Sequence, residues 1–173
     1  MDRSSAPVLV ARQRAISRVL YAIDGSHGAR DAEDLLRTWS IFDDLAMRVV
    51  SVESASSTGS EPIDGELETP AVDGPAGDLD GGPSTHVEFA KQGAARLTAA
   101  GREAHSVHRV GEPAAAIIRA AERWNADLVV LGSGGRSGQA RLLPRSVVRH
   151  VLHGTHASVL IARAPIASSA ANV

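Results

Sequence analysis

The chain has 173 residues and a mass of 18.0 kDa, the usual size of one domain, and its formal net charge is −2. Hydrophobic residues make up 43% of the sequence and charged residues 22%, so a chain that is disordered throughout, fibrous or coiled-coil is excluded. The sequence contains no cysteine, which excludes disulfides, thiolate metal sites and a cysteine nucleophile.

Residues 1–17 are predicted to be a flexible N-terminal arm. Their apolar stretch, Val8 to Val10, lies among charged side chains and is too short for a signal peptide. No apolar run in the chain approaches the roughly 20 residues that cross a bilayer. We therefore expect a cytoplasmic protein with no membrane partner.

Strands and helices alternate from Val19 onwards. The apolar run Val19 to Ile23 has the length of a buried strand and stops at the turn signal Asp24-Gly25-Ser26. A second apolar run covers Arg48 to Val52. The residues between these runs recur at helical spacing, namely Ala29, Ala32, Leu36 and Trp39. Strand, helix, strand is the predicted order.

The composition changes between Ser54 and Pro83. This stretch contains seven acids and no Lys or Arg, and it is rich in Gly, Pro, Ser and Thr. Such segments bury too little apolar surface to offset their ordering entropy. We predict a disordered insertion at 54–83, which either is a solvated linker or occupies a basic site of its own protein.

The second half of the chain repeats the pattern. Helices are predicted at 89–100, ending at Gly101, at 113–121 after Gly111-Glu112-Pro113, and at 147–152. The alternating stretch 105–110 suits an edge strand, and 127–131 and 159–161 are apolar runs of strand length.

Apolar strands that alternate with helices indicate a parallel sheet covered by helices on both faces. We predict a single doubly wound α/β domain at 18–164, with five parallel strands in the order 3-2-1-4-5, and a flexible C-terminal tail at 165–173. Ligands of such sheets bind beyond the carboxyl ends of the strands. Two loops leave such ends, Asp24-Gly25-Ser26 and 132–146.

The loop at 132–146 is rich in glycine. Gly132, Gly134, Gly135 and Gly138 allow positive φ and a close approach to a ligand, while N–H groups before a helix favour an anion. This composition fits phosphate binding and a flexible exit from a buried strand equally well. The P-loop pattern is absent, which excludes a P-loop NTPase, and the dinucleotide fingerprint lacks its last glycine.

Together these features resemble the universal stress protein family, whose five-stranded α/β domain often binds ATP. The resemblance covers about residues 18–164 and is most specific at 19–26, at 111–132 and in the glycine loop with its helix. Nucleotide-binding members carry Gly-x-x-Gly, nine residues, and Gly-Ser/Thr. Gly132, Gly135 and Ser146 match this motif, whereas Arg145 replaces the glycine before the hydroxyl residue.

The resemblance implies contacts to ATP, with Mg²⁺ as an accompanying ion. Asp24 would lie beside the phosphates or their metal, Ala22 and Ile23 beside the adenosine, and Val52 near the adenine. Arg145 would either obstruct the phosphates or donate to them. An Asp before Gly is also a common turn former, which is the plainer role of Asp24. The cradle would be completed by Leu131, Gly132, Gly135, Ser146 and Val147.

The function that these features favour is adenine-nucleotide binding in a stress response, acting through partners or nucleotide-linked conformation. Efficient catalysis is not expected, because the two loops offer Asp24 without an adjacent His or second acid, although slow ATP hydrolysis stays open. One alternative is a family member that does not bind nucleotide and serves as a dimeric interaction module. Another is an adenylating or flavin-binding enzyme on a related fold.

A homodimer is also expected. The last strand, Ser158 to Ala162, is predicted to lie at the sheet edge, where free backbone groups invite pairing with its own copy, and the resemblance points the same way. No nucleic-acid partner is expected, because aromatic residues are 3% of the chain and Lys91 is its only lysine.

Overall fold

The computed structural model describes residues 6–54, 85–133 and 145–163. A short 3₁₀ turn at Ser40–Phe42 follows the first helix. The helices and strands are, in chain order, β1 (Val8–Val10), β2 (Arg18–Ala22), α1 (His27–Thr38), β3 (Ala46–Glu53), α2 (Thr85–Ala99), β4 (Glu103–Val110), α3 (Pro113–Trp124), β5 (Leu128–Gly132), α4 (Arg145–Gly154) and β6 (Ser158–Ala162).

These strands form one sheet in the order β1-β6-β5-β2-β3-β4. The five strands from β2 to β6 are parallel to one another, and β1 runs antiparallel to β6. The predicted doubly wound α/β fold and the order of its five parallel strands are thereby confirmed. Within the described residues the sheet has six strands rather than five.

Two hydrophobic layers cover the faces of this sheet. Val19 and Tyr21 of β2 point into the layer under α1 and α2, whereas Leu20 and Ala22 point into the layer under α3 and α4. All four side chains are at most 1% exposed. Burial on both faces explains why this strand is apolar throughout its buried part instead of alternating.

The sixth strand lies in the segment expected to be a flexible arm. Val8, Leu9 and Val10 pair with Ile161, Leu160 and Val159. The edge of β6 is therefore covered, and the prediction that Ser158–Ala162 forms the sheet edge is wrong. A three-residue strand has no readable periodicity, and its partner is contributed by the other end of the chain.

Local chemistry accounts for the helix ends. Ser26 caps α1, and its Oγ accepts from the N–H of Ala29 at 3.2 Å. Trp39, predicted as part of the apolar stripe of α1, is instead its C-cap and is 42% exposed. Glu112 caps α3, with Pro113 in the first turn. The tail at 165–173, and the insertion at 54–83 except for Ser54, lie outside the described residues.

Candidate functional site

Three strands and one helix pack apolar side chains together near the carboxyl end of the sheet, into an apolar surface that is largely buried. Ala22 of β2 lies beside Leu131 of β5 in the strand register. Both side chains are buried, as is Val147 of α4, and Val52 of β3 packs partly buried against the same cluster. Four residues that the family resemblance implies as nucleotide contacts thus lie on one face, the face that α3 and α4 cover.

Ile23 does not join this surface. Its side chain belongs to the opposite hydrophobic layer, where its Cδ1 is 3.1 Å from the position that a Cβ on Gly93 would occupy. Its backbone N–H donates to the carbonyl of Val50 at 2.9 Å. The backbone of Ile23 therefore lies at the end of the strand, but its side chain faces away from the other implied adenosine contacts.

The turn after β2 is tightly fixed by its own residues. Asp24 is 4% exposed, and its Oδ1 accepts from the N–H of Ser26 at 2.9 Å. Gly25 has a φ of +75°, and a Cβ there would lie 2.4 Å from the ring of Phe89. The contact between Asp24 and Ser26 is the turn-forming role considered for this aspartate.

Gly132 has a packing role in the described part of the glycine motif. A Cβ on Gly132 would lie 2.2 Å from the carbonyl carbon of Gly28, so β5 and the start of α1 touch through their backbones. Gly135 lies outside the described residues. Arg145 begins α4, whose next residue, Ser146, is exposed. The structure thus brings the exit of β5 next to the start of α1.

A polar cluster on the opposite face escaped the sequence analysis. Ser51 Oγ is 3.3 Å from His86 Nδ1, and His108 Nε2 is 3.5 Å from Glu53 Oε2. Burial lowers the pKa of His108, and the neighbouring Glu53 carboxylate only partly opposes this effect. The Nε2 atom of His108 is buried without a hydrogen bond.

This cluster could be read only partly from the sequence. Ser51 and His108 lie opposite each other in the β3–β4 register. This proximity could be predicted only after the pairing of the two strands was known. His86 comes from a helix beyond the long insertion, so no spacing rule places it there. Within the described residues, no group of three or more His, Asp and Glu side chains is arranged to hold a metal ion.

An arginine also stands beside the apolar surface. Arg109 of β4 is in register with Val52, and its Nη1 donates to the carbonyl of His108 at 2.9 Å. Burial lowers the pKa of Arg109, and the positive charges of Arg123 and Arg48 lower it further. Among the described helices, none is long and apolar enough to cross a bilayer.

Comparison with known proteins gives a family and several partial relatives. Over 65 residues the chain is 37% identical to the universal stress protein MJ0531 of Methanocaldococcus jannaschii, which covers 38% of each protein. Over 53 residues it is 47% identical to the universal stress protein Sll1388 of Synechocystis, covering 31% of this chain and 34% of that one. The match spans about a third of the length of these curated relatives.

Solved structures share the fold at low sequence identity. The structure of protein MJ0577 has a TM-score of 0.62 at 20% identity and covers 87% of this chain and 98% of that chain. A universal stress protein in complex with cAMP has a TM-score of 0.56 at 19% identity, covering 86% of this chain and 98% of that chain. The universal stress protein of Archaeoglobus fulgidus in complex with dAMP has a TM-score of 0.53 at 16% identity, with the same coverage.

At such identities these structures support the fold alone, whereas the family assignment rests on the sequence. The sequence matches the universal stress protein family over residues 15–163. This range includes every described parallel strand and the four helices. The chain therefore belongs to the universal stress protein family.

Proposed function

We propose that this protein binds an adenine nucleotide, ATP with Mg²⁺, in the cleft beyond the carboxyl ends of β2, β3 and β5. The observation that carries the proposal is the convergence of Ala22, Val52, Leu131 and Val147 on one apolar surface. An adenine ring binds favourably where apolar side chains replace water over its faces, and three strands and a helix contribute such side chains at this end of the sheet.

The start of α1 supports a position for the phosphates. The neutral hydroxyl of Ser26 caps this helix, and its first turn contains no acidic residue. By contrast, Glu112 places a carboxylate on the start of α3 and accepts from two of its N–H groups. The first turn of α1 therefore carries no acidic side chain of its own, although the Asp24 carboxylate accepts from the N–H of Ser26 just before it, and Gly132 brings the exit of β5 against this helix start.

The remaining phosphate contacts follow from the family motif. Gly135 and Ser146 match it, and the guanidinium of Arg145 is the added cation of this chain. Two structural relatives are complexes with cAMP and dAMP, which share an adenine and a phosphate. These complexes support the class of ligand, while the choice of ATP rests on the glycine motif.

We infer binding rather than rapid turnover. General-base catalysis needs a carboxylate or imidazole placed to accept a proton from the attacking water. Asp24 is the implied carboxylate, but its Oδ1 is engaged by the N–H of Ser26. A nucleotide that is held without rapid hydrolysis suits a protein that acts in a stress response through conformation or partners.

One observation favours a second function, an interaction module without nucleotide. The close contact with Gly28 is sufficient to explain the glycine at 132, so this part of the motif does not require a ligand. Arg145 stands where nucleotide-binding members have glycine. A family member that kept the fold and lost the ligand would show both features.

Calorimetric titration with ATP, ADP and cAMP, with and without Mg²⁺, tests the proposal. Val52→Glu places a carboxylate on the apolar surface and should weaken ATP binding at least about tenfold, or about 1.4 kcal/mol. Val110→Glu is the matched control, because Val110 is 57% exposed on the neighbouring strand, and it should bind like the wild type. Equal loss in both variants, or no heat with the wild type at millimolar ATP, would favour the interaction module.

Arg145 separates the two functions in a second experiment. If its guanidinium donates to the phosphates, Arg145→Ala should weaken ATP by about 1.5 to 3 kcal/mol and adenosine hardly at all. If its side chain obstructs the site, Arg145→Gly restores the family motif and tightens ATP. Failure of both the wild type and Arg145→Gly to bind would end the nucleotide proposal.

A further inference from the structure

We propose that four arginines on the α3 side of the sheet form a surface that binds the acidic insertion of the same chain, residues 54–83. This arginine surface consists of Arg48, Arg109, Arg119 and Arg123. The insertion is then the occupant of a basic site rather than a solvated linker, the two roles that its composition allows. Nucleotide binding can hold or fail independently, because the experiment below is made without nucleotide.

Two of the arginines lie on neighbouring strands and on the same face of the sheet. Arg48 of β3 and Arg109 of β4 are each two residues from a valine, Val50 and Val107, that packs in the layer under α3. The guanidinium carbon of Arg48 lies over the ring of Trp124, 4.9 Å from its centroid. Both arginines are half-buried, so packing restricts where their guanidinium groups can lie.

The other two arginines come from α3. Arg119 and Arg123 are exposed, and their spacing of four residues places them on the same side of the helix. The pKa of Arg109 is lowered mainly by burial, and the charges of Arg123 and Arg48 lower it further. Arg109 is therefore close enough to both groups for their like charges to repel it.

The acids around this surface leave most of its charge unpaired. Neither the two strand arginines nor Arg119 forms an ion pair with a carboxylate of the described residues. Glu103 lies beside His105, and Glu112 caps α3. Glu122 lines a hollow with residues that precede β6, on the other side of the helix. Several positive charges held together in this way favour a ligand with several negative charges.

The insertion begins beside the arginine surface. Glu53, the last residue of β3, accepts from the N–H of Gly111 at 2.9 Å, and Arg119 Nη2 is 3.7 Å from the position that a Cβ on Gly111 would occupy. The 12 residues of α3 span about 18 Å, a distance that about six extended residues cover. Glu61, the first acid of the insertion, is further than this from Glu53 along the chain, so the acids can reach each arginine.

Charge and attachment make the insertion the partner that fits this surface. It contains seven acids and no Lys or Arg. A single ion pair on a protein surface contributes little to binding. The insertion is joined to β3 at one end and to α2 at the other, so it meets the arginines at a high effective concentration, and several weak pairs suffice. An acidic segment of a separate protein lacks this advantage.

Trp124 provides a reporter beneath the surface. The chain has two tryptophans, so Trp39→Phe leaves Trp124 as the only one, and Phe at this position keeps an aromatic ring beside Phe42. Because the chain has no cysteine, Thr69→Cys gives a single attachment point for a nitroxide, a short-range quencher, among the acids of the insertion.

We expect the nitroxide to quench the fluorescence of Trp124 at low salt, relative to the same protein after reduction of the label with ascorbate. The quenching should be lost at about 1 M NaCl, where the Debye length is about 3 Å. Absence of quenching at low salt, or quenching that high salt leaves unchanged, would overturn the proposal.

Removal of the helix arginines tests the surface itself. Arg119→Gln combined with Arg123→Gln should lower the ratio of bound to free insertion about tenfold, as expected for two surface ion pairs near the strong end of their range. Arg30→Gln combined with Arg37→Gln removes the same charge from exposed positions of α1 on the other face, and should quench like the parent protein. Equal quenching in the two double variants contradicts the proposal. Quenching that increases with protein concentration also contradicts it, because the insertion would then bind another copy.

Discussion

The two ends of the parallel sheet differ in how their polar groups are used. At the amino end, Asp127 Oδ2 accepts from the N–H and the hydroxyl of Ser17 and from the N–H of Arg18, at 2.8 to 2.9 Å. At the carboxyl end, Ala22 and Leu131 belong to the apolar surface under α3 and α4, while Gly132 approaches Gly28 at the start of α1, which covers the other face of the sheet. The amino end is closed by contacts within the protein, whereas the carboxyl end combines apolar contact with groups that suit an anion.

A cavity at the amino end sharpens this contrast. It is open to solvent on one side, has a volume of about 280 Å³ and lies between the N-terminal segment, the end of α3 and the loop before β6, with Gln13, Asn125, Asp127 and His156 among its lining residues. This volume is just below the usual range of about 300 to 1,000 Å³ for small-molecule pockets. Gln13 and Asp127 already bind protein groups here, so the cavity reflects how the closed end is assembled. We therefore assign function to the opposite end.

The largest effect is expected where the carboxyl end is packed most tightly. Gly132→Ala would place a Cβ against the backbone of Gly28, and backbone atoms cannot move aside without shifting α1. We expect a loss of about 3 kcal/mol of unfolding free energy in urea. Gly154→Ala is the control, because its Cβ meets the flexible end of Ile118 and should cost about 1 kcal/mol or less. Equal losses of stability in the two variants would show that the close contact with Gly28 does not require a glycine at position 132.

A smaller effect is expected at the amino end. Burial raises the pKa of Asp127, but hydrogen bonds from Ser17 and Arg18 outweigh it, and the net pKa is lowered. A lowered pKa stabilises the fold above the unfolded value of 3.8, and this stability is lost as the pH falls through the folded value. Asp127→Asn should therefore cost about 1 kcal/mol at neutral pH, reduced by solvent screening, and less in acid.

Urea unfolding of both proteins at neutral and acidic pH measures this difference. Asp34→Asn is a suitable control, because Asp34 is an exposed acid paired at 3.7 Å with Arg37 on the surface of α1. If the difference in unfolding free energy between wild type and Asp127→Asn is the same in acid as at neutral pH, the charge of the carboxylate does not stabilise this end of the sheet.

The central parallel strands could be predicted because both of their faces are buried, and β4 because its alternating residues are typical of an edge strand. Val19 to Ile23 and Leu128 to Leu131 are apolar on both sides, and only a covered parallel sheet makes such runs common. The strand β1 could not be predicted, because three residues among charged neighbours carry no period. Its stability comes from Leu160 and the neighbouring residues of β6, which are distant in the sequence.

The candidate site was predictable to the extent that strand ends and a known motif define it. Ala22, Val52 and Leu131 are implied by the family resemblance, and the structure places them on one face. The side chain of Ile23 lies on the other face, as the period of two along a strand requires for a neighbour of Ala22. His86 could not be assigned, because the register of α2 beyond a long insertion depends on tertiary packing.

The smallest effect concerns His108, a carboxyl-end residue that is not on the apolar surface. Its pKa is lowered mainly by burial, and the charges of His86 and Arg109 act in the same direction, while Glu53 acts against them. As the pH falls below 6.5, His108 is protonated in the unfolded chain before it is protonated in the folded protein. The free energy of unfolding therefore decreases until the pH reaches the folded pKa.

His108→Gln should remove that loss of stability, which we expect to be below about 1 kcal/mol for a half-buried ring. His105→Gln, with an exposed side chain on the same strand, should keep the wild-type slope. The loss of unfolding free energy that Asp127 causes in acid begins only near pH 3.8. A plot of unfolding free energy against pH should therefore show two separate steps, one for each end of the sheet. A single merged step would contradict the independence of the two residues.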